Sequence, residues 1–308
     1  MPTESPALLS DHVRRFIFEN RPVRGHWAHL EAAWRELRAH TQYPPAVDTL
    51  LGEAVAATVL LAATLKFNGT LTLQLQGNGA VGLLVAQCTH DFRLRAVARY
   101  DAQAVHDLGA DSGAFRRLAG SEGRVTVTVE AEEKSLRYQG VVPLEGDSLA
   151  ESLEAYFASS EQLPTRVLLA ADAARAAGIL VQRLPEAGEV PSDVSASAWD
   201  EAREGTGRLA PLQLLTLRTE DVLSQAFPGS ELRLFRGSPL RFECRCNQAR
   251  VAGILRALGP SEVRDVLREQ GAVTVTCEFC QRPFRFDSID IEALFAEAQG
   301  SEATHVVH

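Results

Sequence analysis

Apolar residues in the first 185 positions recur at two spacings, which predict a mixture of strands and helices. Residues 125–129 alternate valine with threonine, a period of two that is typical of a half-buried strand. Residues 44–65 are apolar nearly all round, which predicts a buried helix. Ser148 followed by Glu151 forms a capping box and predicts another helix start. The same criteria predict a helix at 29–40 and strands at 13–18, 71–76, 81–87, 94–99, 125–130, 136–142, 166–171 and 179–184.

The composition changes after Pro185. Residues 186–210 are rich in glycine, serine, aspartate and glutamate, which is typical of a linker. Apolar residues return at 212–217, and a short helix is predicted from Thr219 to a stop at Pro228 and Gly229. We therefore expect a helical linker that runs to residue 243.

The last 65 residues have the pattern of a small unit of their own. Helices are predicted at 248–258, 261–269 and 289–299, and short strands at 272–276 and 284–286. The predicted fold class is therefore α+β in three parts. These are an N-terminal mixed α/β domain (1–185) with an antiparallel β-sheet packed with helices, a helical linker (186–243), and a small C-terminal four-cysteine α+β domain (244–308).

Four of the five cysteines lie in this small domain as two close pairs, Cys244 with Cys246 and Cys277 with Cys280. Two thiol pairs brought together by a short fold are typical of a tetrahedral zinc site. All-thiolate sites select zinc or an iron–sulfur cluster over magnesium or calcium, so both soft-metal centres remain open, with zinc favoured. The fifth residue, Cys88, ends an apolar run and is predicted to lie in the core.

A metal bound here would decide whether the small domain folds. A core of this size supplies only about 3–5 kcal/mol, whereas zinc binding contributes about 10–16 kcal/mol to the folding of such sites. Oxidation of the thiolates would remove the ligands. Four cysteines allow three pairings, and loop closure favours the local one, Cys244–Cys246 with Cys277–Cys280. Such small loops constrain the unfolded chain little, so oxidation should unfold the domain.

Charge and composition exclude several partners. The 308 residues include 31 basic and 40 acidic side chains, a net charge of −9, which disfavours binding to a nucleic-acid backbone. A phosphate-binding P-loop needs Gly-Lys before Ser or Thr, whereas Lys134-Ser135 follows Glu133, so no ATP is expected. The N-terminus has no signal pattern, and the uncharged run 54–65 is too short to span a membrane. We expect a cytoplasmic protein.

Two other functions remain as alternatives. One is a zinc-ribbon regulatory or nucleic-acid-interacting protein, although residues 244–308 contain seven arginines against nine acidic residues. The other is an enzyme in the first domain, where no His, Ser and acid cluster of recognisable spacing occurs, so no enzyme is expected. The motif Gly-x-Gly-x-x-Gly at 77–82 is interpreted as a hairpin turn, because a strand rather than a helix is predicted after it.

A set of short motifs is spread along the whole chain: Arg24-Gly25, Tyr43-Pro44, the runs 50–54 and 71–79, Leu65-Lys66, Phe242-Glu243 before the Cys244-x-Cys246 pair, Val275-Thr276 before Cys277-Glu278-Phe279-Cys280, and 284–287. In these motifs the sequence resembles the heat shock protein 33 family of redox-regulated holdase chaperones. The chain departs from the family pattern at Asn247 and Ala249, where Ser and Glu are usual, and at 95–98, which replaces the usual Arg-Gly pair.

The resemblance implies a redox switch. The reduced protein would hold one zinc per chain on the four cysteines and be inactive, and oxidation would form the two local disulfides and free the metal. The C-terminal domain and a metastable linker would then unfold, and the protein would act as a homodimer that holds unfolding clients without ATP. In the reduced state the linker would dock on the first domain. The apolar linker residues expected to bind clients are Leu212, Leu214, Leu215, Val222, Leu223 and Phe227.

Overall fold

The computed structural model describes residues 11–109, 115–131, 137–185 and 192–302, with 192–194 and 297–302 described by their backbone alone. The Lys134-Ser135 pair and the start of the predicted linker lie outside these residues. The chain divides into two compact units, Met1–Glu243 (unit 1) and Cys244–His308 (unit 2). Residues 192–243, predicted as a linker, therefore fall within unit 1. The finer division of that unit at residue 185 stays a prediction.

Strands and helices alternate through the described part of unit 1. The strands are β1 (His12–Phe18), β2 (Val23–Leu30), β3 (Gly69–Gln76), β4 (Val81–Thr89), β5 (Arg93–Tyr100), β6 (Arg124–Ala131), β7 (Arg137–Pro143), β8 (Thr165–Ala171), β9 (Ala176–Arg183), β10 (Leu232–Leu234), β11 (Ser238–Pro239) and β12 (Arg241–Phe242). The helices are α1 (Ala32–Arg38), α2 (Pro45–Thr64), α3 (Ala102–Leu108), α4 (Phe115–Ala119), α5 (Leu149–Tyr156), α6 (Ser192–Gly207), α7 (Pro211–Thr216) and α8 (Thr219–Ala226).

The strands form two six-stranded sheets. Sheet A has the order β10-β1-β2-β9-β8, with β11 also paired to β1, and its strands are antiparallel. Sheet B has the order β12-β5-β4-β3-β6-β7, in which only the short β12 runs parallel to its neighbour. The predicted α+β class with antiparallel sheets is confirmed.

Helix α2 lies in the core of unit 1 and contacts strands of both sheets. It begins with Pro45 at a position where the missing N–H costs nothing, and its apolar residues face both sheets. Among the described helices, it alone has the length and hydropathy of a membrane span, but 78% of that window is buried inside the fold. The prediction of a buried helix over 44–65 is therefore confirmed.

The linker helices α6, α7 and α8 cover the other face of sheet A. The central contact is aromatic: the Phe227 ring lies 5.9 Å from that of Phe16 and 5.0 Å from that of Phe18. Gly25 lies opposite Phe16 in the next strand, and a Cβ at this glycine would lie 2.1 Å from the Phe16 ring. The absence of a side chain at Gly25 thus makes room for the phenylalanine cluster.

The hairpin interpretation of the glycine motif is confirmed. Strand β3 ends at Gln76, β4 begins at Val81, and the Gly77 amide donates to the Gly82 carbonyl over 3.2 Å. A dinucleotide-binding motif would instead start a helix at this point. The capping box before α5 is partly confirmed: Ser148 Oγ accepts from the Glu151 amide, but the Glu151 carboxylate accepts from the Asp147 amide.

Several elements differ from the sequence prediction. Residues 23–30 form β2, although a helix was expected to begin at residue 29; the helix is α1 and begins at Ala32. Residues 192–207 form α6, where a turn-rich connection was expected. The short strands β10, β11 and β12 were not predicted. Each of these elements depends on a partner distant in the sequence, because β2 pairs with β9 and β10 pairs with β1.

Unit 2 has a small core of its own. Its elements are α9 (Gln248–Leu258), α10 (Pro260–Gln270), β13 (Val273–Thr276), β14 (Pro283–Phe286) and α11 (Ser288–Glu302). Strands β13 and β14 form an antiparallel hairpin. Helix α10 follows Gly259, whose φ of 95° requires glycine, and it begins at Pro260, one residue before the predicted start. The buried core residues are Val251, Leu255, Val263, Val273, Phe286, Ile291, Leu294 and Phe295.

Candidate metal centre

The four cysteines of unit 2 come from two loops. Cys244 and Cys246 lie between β12 and α9, and Cys277 and Cys280 lie in the turn between β13 and β14. The turn is tied by hydrogen bonds from the Cys277 amide to the Arg282 carbonyl (3.0 Å) and from the Gln281 amide to the Cys277 carbonyl (2.9 Å). The hairpin thus holds its two thiols on one side of a tight turn.

The four sulfur atoms converge. All lie within 4.8 Å of one another, with Cys244 and Cys277 sulfurs 3.6 Å apart and Cys246 and Cys280 sulfurs 3.4 Å apart. A zinc ion with four thiolates at about 2.3 Å would place the sulfurs about 3.8 Å from one another. No histidine or carboxylate joins this group among the described residues. The donor set and the spacing therefore fit a tetrahedral soft metal ion.

When no cation is bound, burial and the close approach of the other thiols disfavour ionisation of Cys244 and Cys246. Burial, followed by the neighbouring thiols of Cys244 and Cys280, raises the pKa of Cys246. Burial alone would also raise the pKa of Cys277, but the N–H groups of Cys280 and Phe279 point at its sulfur and bring its pKa below the usual value. The Cys277 thiol therefore ionises more readily than its neighbours, and a bound metal would be needed to keep all four cysteines as thiolates.

The nearby arginines have a smaller effect on these thiols than their positions in the sequence suggested. Arg245, Arg250 and Arg282 are close to the cysteines in the sequence, but burial, amide N–H groups and the other thiols are the main influences on the thiol pKa values. Asn247 has a structural task, because its Oδ1 accepts from the Arg250 amide over 2.8 Å and caps α9. Asparagine and serine are comparable N-caps, so the departure from the family pattern at this position preserves the helix start.

Cys88 lies apart from the centre. Its side chain is fully buried in sheet B, and burial followed by the charge of Asp91 raises the pKa of its thiol. A thiol that remains protonated and has no access to solvent is unreactive. The structure therefore agrees with the prediction that Cys88 belongs to the core.

Five of the six predicted client-binding residues are buried in unit 1, and Leu212 is 67% exposed. The buried residues pack on sheet A together with Phe16, Trp27 and Ile179. These residues thus pack on sheet A, as expected for a docked linker, while the redox state to which this packing belongs and the role in client binding stay predictions. The buried residues are Leu214, Leu215, Val222, Leu223 and Phe227.

Polar contacts that the sequence did not reveal also hold the linker to sheet A. His29 Nε2 and Arg175 Nη1 each lie 3.3 Å from the Leu215 carbonyl oxygen, at the end of α7. His12 Nε2 lies 3.0 Å from Thr219 Oγ1, at the start of α8. No sequence spacing links His29 to residue 215. The strand that carries His29 was itself not predicted, so the sequence offered no signal for this contact.

Fold and site together define a class of protein: a large α+β unit followed by a small unit that assembles four thiols into a soft-metal site. The family model described as Hsp33 protein matches residues 11–287. A 33 kDa chaperonin from Nitrosococcus oceani is 40% identical over 298 residues, which is 97% of this chain and 99% of that protein. The 33 kDa chaperonin of Pseudomonas paraeruginosa is 42% identical over 298 residues, 96% of this chain and 98% of that protein.

A solved structure has the same fold. The crystal structure of a 33 kDa chaperonin (heat shock protein 33 homolog) from Thermotoga maritima matches with a TM-score of 0.78 over 94% of this chain and 99% of that chain, at 22% identity. The chain therefore belongs to the Hsp33 family, as the sequence resemblance predicted. The names of its relatives support a chaperone and are not names of enzymes.

Proposed function

We propose that this protein is a redox-regulated, ATP-independent holdase chaperone that binds unfolding proteins during oxidative stress. The observation that supports the proposal is the convergence of four sulfurs within 4.8 Å in a unit whose own core is small. In such a unit the chemistry of the thiols decides whether the chain is folded.

In the reduced state, Cys244, Cys246, Cys277 and Cys280 hold one zinc ion per chain. When bound, this ion supplies a crosslink between the loop before α9 and the β13–β14 turn. The crosslink contributes about 10–16 kcal/mol to folding, whereas the core of a unit this small contributes about 3–5 kcal/mol. Unit 2 is then folded only while its four thiolates are available.

Oxidation removes these ligands. One molecule of hypochlorous acid removes two electrons from one pair of thiolates. Together with one proton from solution it yields a disulfide, chloride and water, so two equivalents oxidise all four thiolates. We propose that the pairs are Cys244–Cys246 and Cys277–Cys280. In a tetrahedral cluster every sulfur is close to the other three, so proximity does not select a pairing, whereas loop closure favours the local one. Formation of both disulfides releases the metal.

Loss of the unit 2 fold then weakens the linker. The first ligand follows β12 after a single residue, and β12 is a two-residue strand at the edge of sheet B. An unfolded tail no longer holds the chain in place beyond residue 243, and the short strands β10 to β12 are the elements with least pairing. Their release would uncover the linker residues and the matching face of sheet A. The proposed client-binding residues are Leu212, Leu214, Leu215, Val222, Leu223 and Phe227.

The remaining features of the proposal concern partners and location. The oxidised, active form is a homodimer, since exposed apolar surface on one protomer favours association with a second copy. The protein acts without ATP and without nucleic acid, consistent with a net charge of −9. It works in the cytoplasm, where thiols are normally reduced and oxidation is therefore a signal of stress.

The proposal is tested by oxidation of the purified, reduced protein with increasing hypochlorite. We expect the release of one zinc ion per chain, the loss of four free thiols and the gain of aggregation suppression on a thermally unfolding client to follow the same dose curve. The matched control is Cys88→Ala, which leaves the centre intact and should show the same curve. Zinc release without aggregation suppression would reject the holdase function and favour a zinc-ribbon regulatory protein.

A further inference from the structure

A cleft in unit 1 takes no part in the redox switch described above. It has a volume of about 270 Å³ and lies between the C-terminal end of α2, the neighbouring faces of β3, β6 and β7, and the π-helical turn Phe157–Glu161 that follows α5. This volume is slightly below the range of about 300–1,000 Å³ for drug-sized ligands, so the cleft suits a small, narrow ligand. Its apolar lining consists of Leu61, Leu65, Leu71, Val127, Val129, Phe157 and Leu163.

One cation lines this apolar cleft without a matching anion. Arg24, on β2, is half-buried and has no carboxylate within ion-pair distance among the described residues. Its guanidinium donates two hydrogen bonds to Gln182 Oε1, from Nε over 3.1 Å and from Nη2 over 2.7 Å. Burial, followed by the positive charge of Arg15, lowers the pKa of Arg24. Because a partly desolvated guanidinium is stabilised by an anion, a ligand carboxylate in contact with Arg24 would supply the ion pair that Arg24 lacks among the described residues.

The orientation of Arg24 is fixed by a ladder of polar side chains across sheet A. Arg24 on β2 pairs with Gln182 on β9, and Gln182 pairs with Thr165 on β8. Gln182 is 1% exposed, and its Nε2 donates to Thr165 Oγ1 over 3.0 Å. Both the oxygen and the nitrogen of the Gln182 side-chain amide therefore have hydrogen-bond partners, and this amide holds the Arg24 guanidinium in one position. A preorganised cation of this kind is a feature of anion-binding sites.

The acidic group of the cleft is already satisfied. Tyr138 and Tyr156 both donate from their hydroxyls to Glu161 Oε1, over 2.9 Å and 3.0 Å. No ion pair joins Glu161 to Arg24 among the described residues, so the two charges do not cancel. Leu65 and Tyr138 are 47% and 49% exposed, which places the mouth of the cleft beside these two side chains. An apolar chain can therefore enter beside Leu65 while its charged end reaches Arg24.

We propose that this cleft binds a medium-chain aliphatic carboxylate. The carboxylate accepts hydrogen bonds from the N–H groups of Arg24 that Gln182 leaves free, and the alkyl chain lies against the valines of β6 and the leucines of α2. A cationic amphiphile is excluded by Arg24, and an uncharged one leaves the guanidinium without its anion. The site belongs to the reduced protein and does not depend on the proposed chaperone switch.

The test is calorimetric titration of the reduced, zinc-loaded full chain with decanoate below its micelle concentration. We expect one site per chain. Octanoate should bind about fourfold to sixteenfold more weakly than decanoate, since each buried methylene contributes about a fourfold change. Decanol and decyltrimethylammonium should bind about tenfold or more weakly than decanoate, because they lack the charge-assisted hydrogen bonds to Arg24.

Two variants and a control complete the experiment. Arg24→Gln should weaken decanoate about tenfold or more and leave decanol unchanged, and Leu65→Trp should abolish binding of both by filling the mouth. Leu65 is half-exposed, so this second variant keeps its fold, which circular dichroism and zinc content verify. Arg35→Gln, on the exposed side of α1, is the matched control and should bind like the wild type. Unsaturable binding, equal affinity for decanol and decanoate, or an unchanged Arg24→Gln would each overturn the proposal.

Discussion

The two units of this protein bury apolar surface on very different scales. Among the described residues, unit 1 has buried clusters of 45 and 17 residues, built around α2 and under the linker helices, whereas unit 2 has a single cluster of eight. In place of a large core, unit 2 has four sulfurs within 4.8 Å of one another. We propose that its fold therefore depends on a metal ion held by those sulfurs.

The difference suggests how a chaperone can be regulated without an enzyme or a nucleotide. Hydrophobic burial is not changed directly by thiol oxidation, so we expect unit 1 to keep its core when the four cysteines are oxidised. A metal site built from thiolates is directly sensitive to oxidation, because the sulfur atoms that bind the metal are also the atoms that an oxidant attacks. The linker is expected to be intermediate in its sensitivity to oxidation. It is held on sheet A by a cluster of intermediate size and by a few polar contacts. Each prediction below changes one side of this comparison.

The largest effect is expected for Cys277→Ser. Removal of one of four ligands should abolish tight zinc binding and unfold unit 2, with a loss on the scale of about 10 kcal/mol or more. Zinc content of the purified protein and limited proteolysis of residues 244–302 measure the result. Cys88→Ala is the control, since Cys88 is buried in sheet B and has no part in the centre. A zinc-free Cys277→Ser protein whose unit 2 still resists protease would contradict the comparison.

A smaller effect is expected for Phe227→Ala. The ring packs against Phe16 and Phe18 and is 2% exposed, so its removal should cost about 3–5 kcal/mol. The linker should then undock in the reduced protein, with faster amide exchange in α8 and some aggregation suppression while zinc is retained. Leu212→Ala, at an exposed position, should leave both unchanged. Phe227→Ala with normal exchange in α8 would show that linker docking does not rest on this cluster.

Acid should weaken unit 1 through His26. Burial, then the charges of Arg24 and Arg15, lowers the pKa of His26 from 6.5 to about 3. Because the folded pKa is below the unfolded one, stability is full above about pH 6.5 and falls as the pH drops towards 3, by about 1.4 kcal/mol per pH unit.

The measurement is urea unfolding of unit 1 between pH 7 and pH 4.5. His26→Leu should lose less stability on acidification than the wild type, by the slope of one proton. Parallel curves for the wild type and His26→Leu would mean that His26 does not titrate in this way.

The smallest effect is expected for Glu220→Ala. Glu220 pairs with Arg14 of β1 over 2.5 Å at the start of α8, but its side chain is 55% exposed. Exposed ion pairs contribute at most about 1 kcal/mol. Amide exchange in α8 should therefore rise only slightly, far less than in Phe227→Ala. An equal effect of the two variants would indicate that charge, rather than aromatic packing, holds the linker.

The sequence predicted those elements whose signal is local. Helix α2 and strand β6 were recognised because their apolar spacing is complete within the element, and the cysteine centre because its pairs are two and three residues apart. Strand β2 was missed, since Arg24, Gly25 and His26 interrupt its apolar pattern. The roles of two of these residues become clear only from their partners in other strands: Arg24 donates to Gln182, and Gly25 leaves space for the ring of Phe16.

The linker shows the same limit. Helix α6 contains Gly205 and many polar residues, which made it resemble a turn-rich connection. Its helical form is decided by packing: Ala198 and Ala202 are buried under sheet A, and a Cβ at Gly205 would lie 2.3 Å from the Ala226 carbonyl oxygen. The contacts of His29 and Arg175 with the Leu215 carbonyl also join residues far apart in the chain. Such contacts leave no pattern in a single sequence.

The most direct test is hydrogen exchange of the full chain before and after stoichiometric oxidation of the four cysteines. The account predicts that amides in α9, α10 and β13 lose their protection when the zinc leaves, that α8 follows, and that α2 and β3 remain protected. Retained protection throughout unit 2 in the oxidised, zinc-free protein would contradict the claim that the metal, and not the small core, keeps this unit folded.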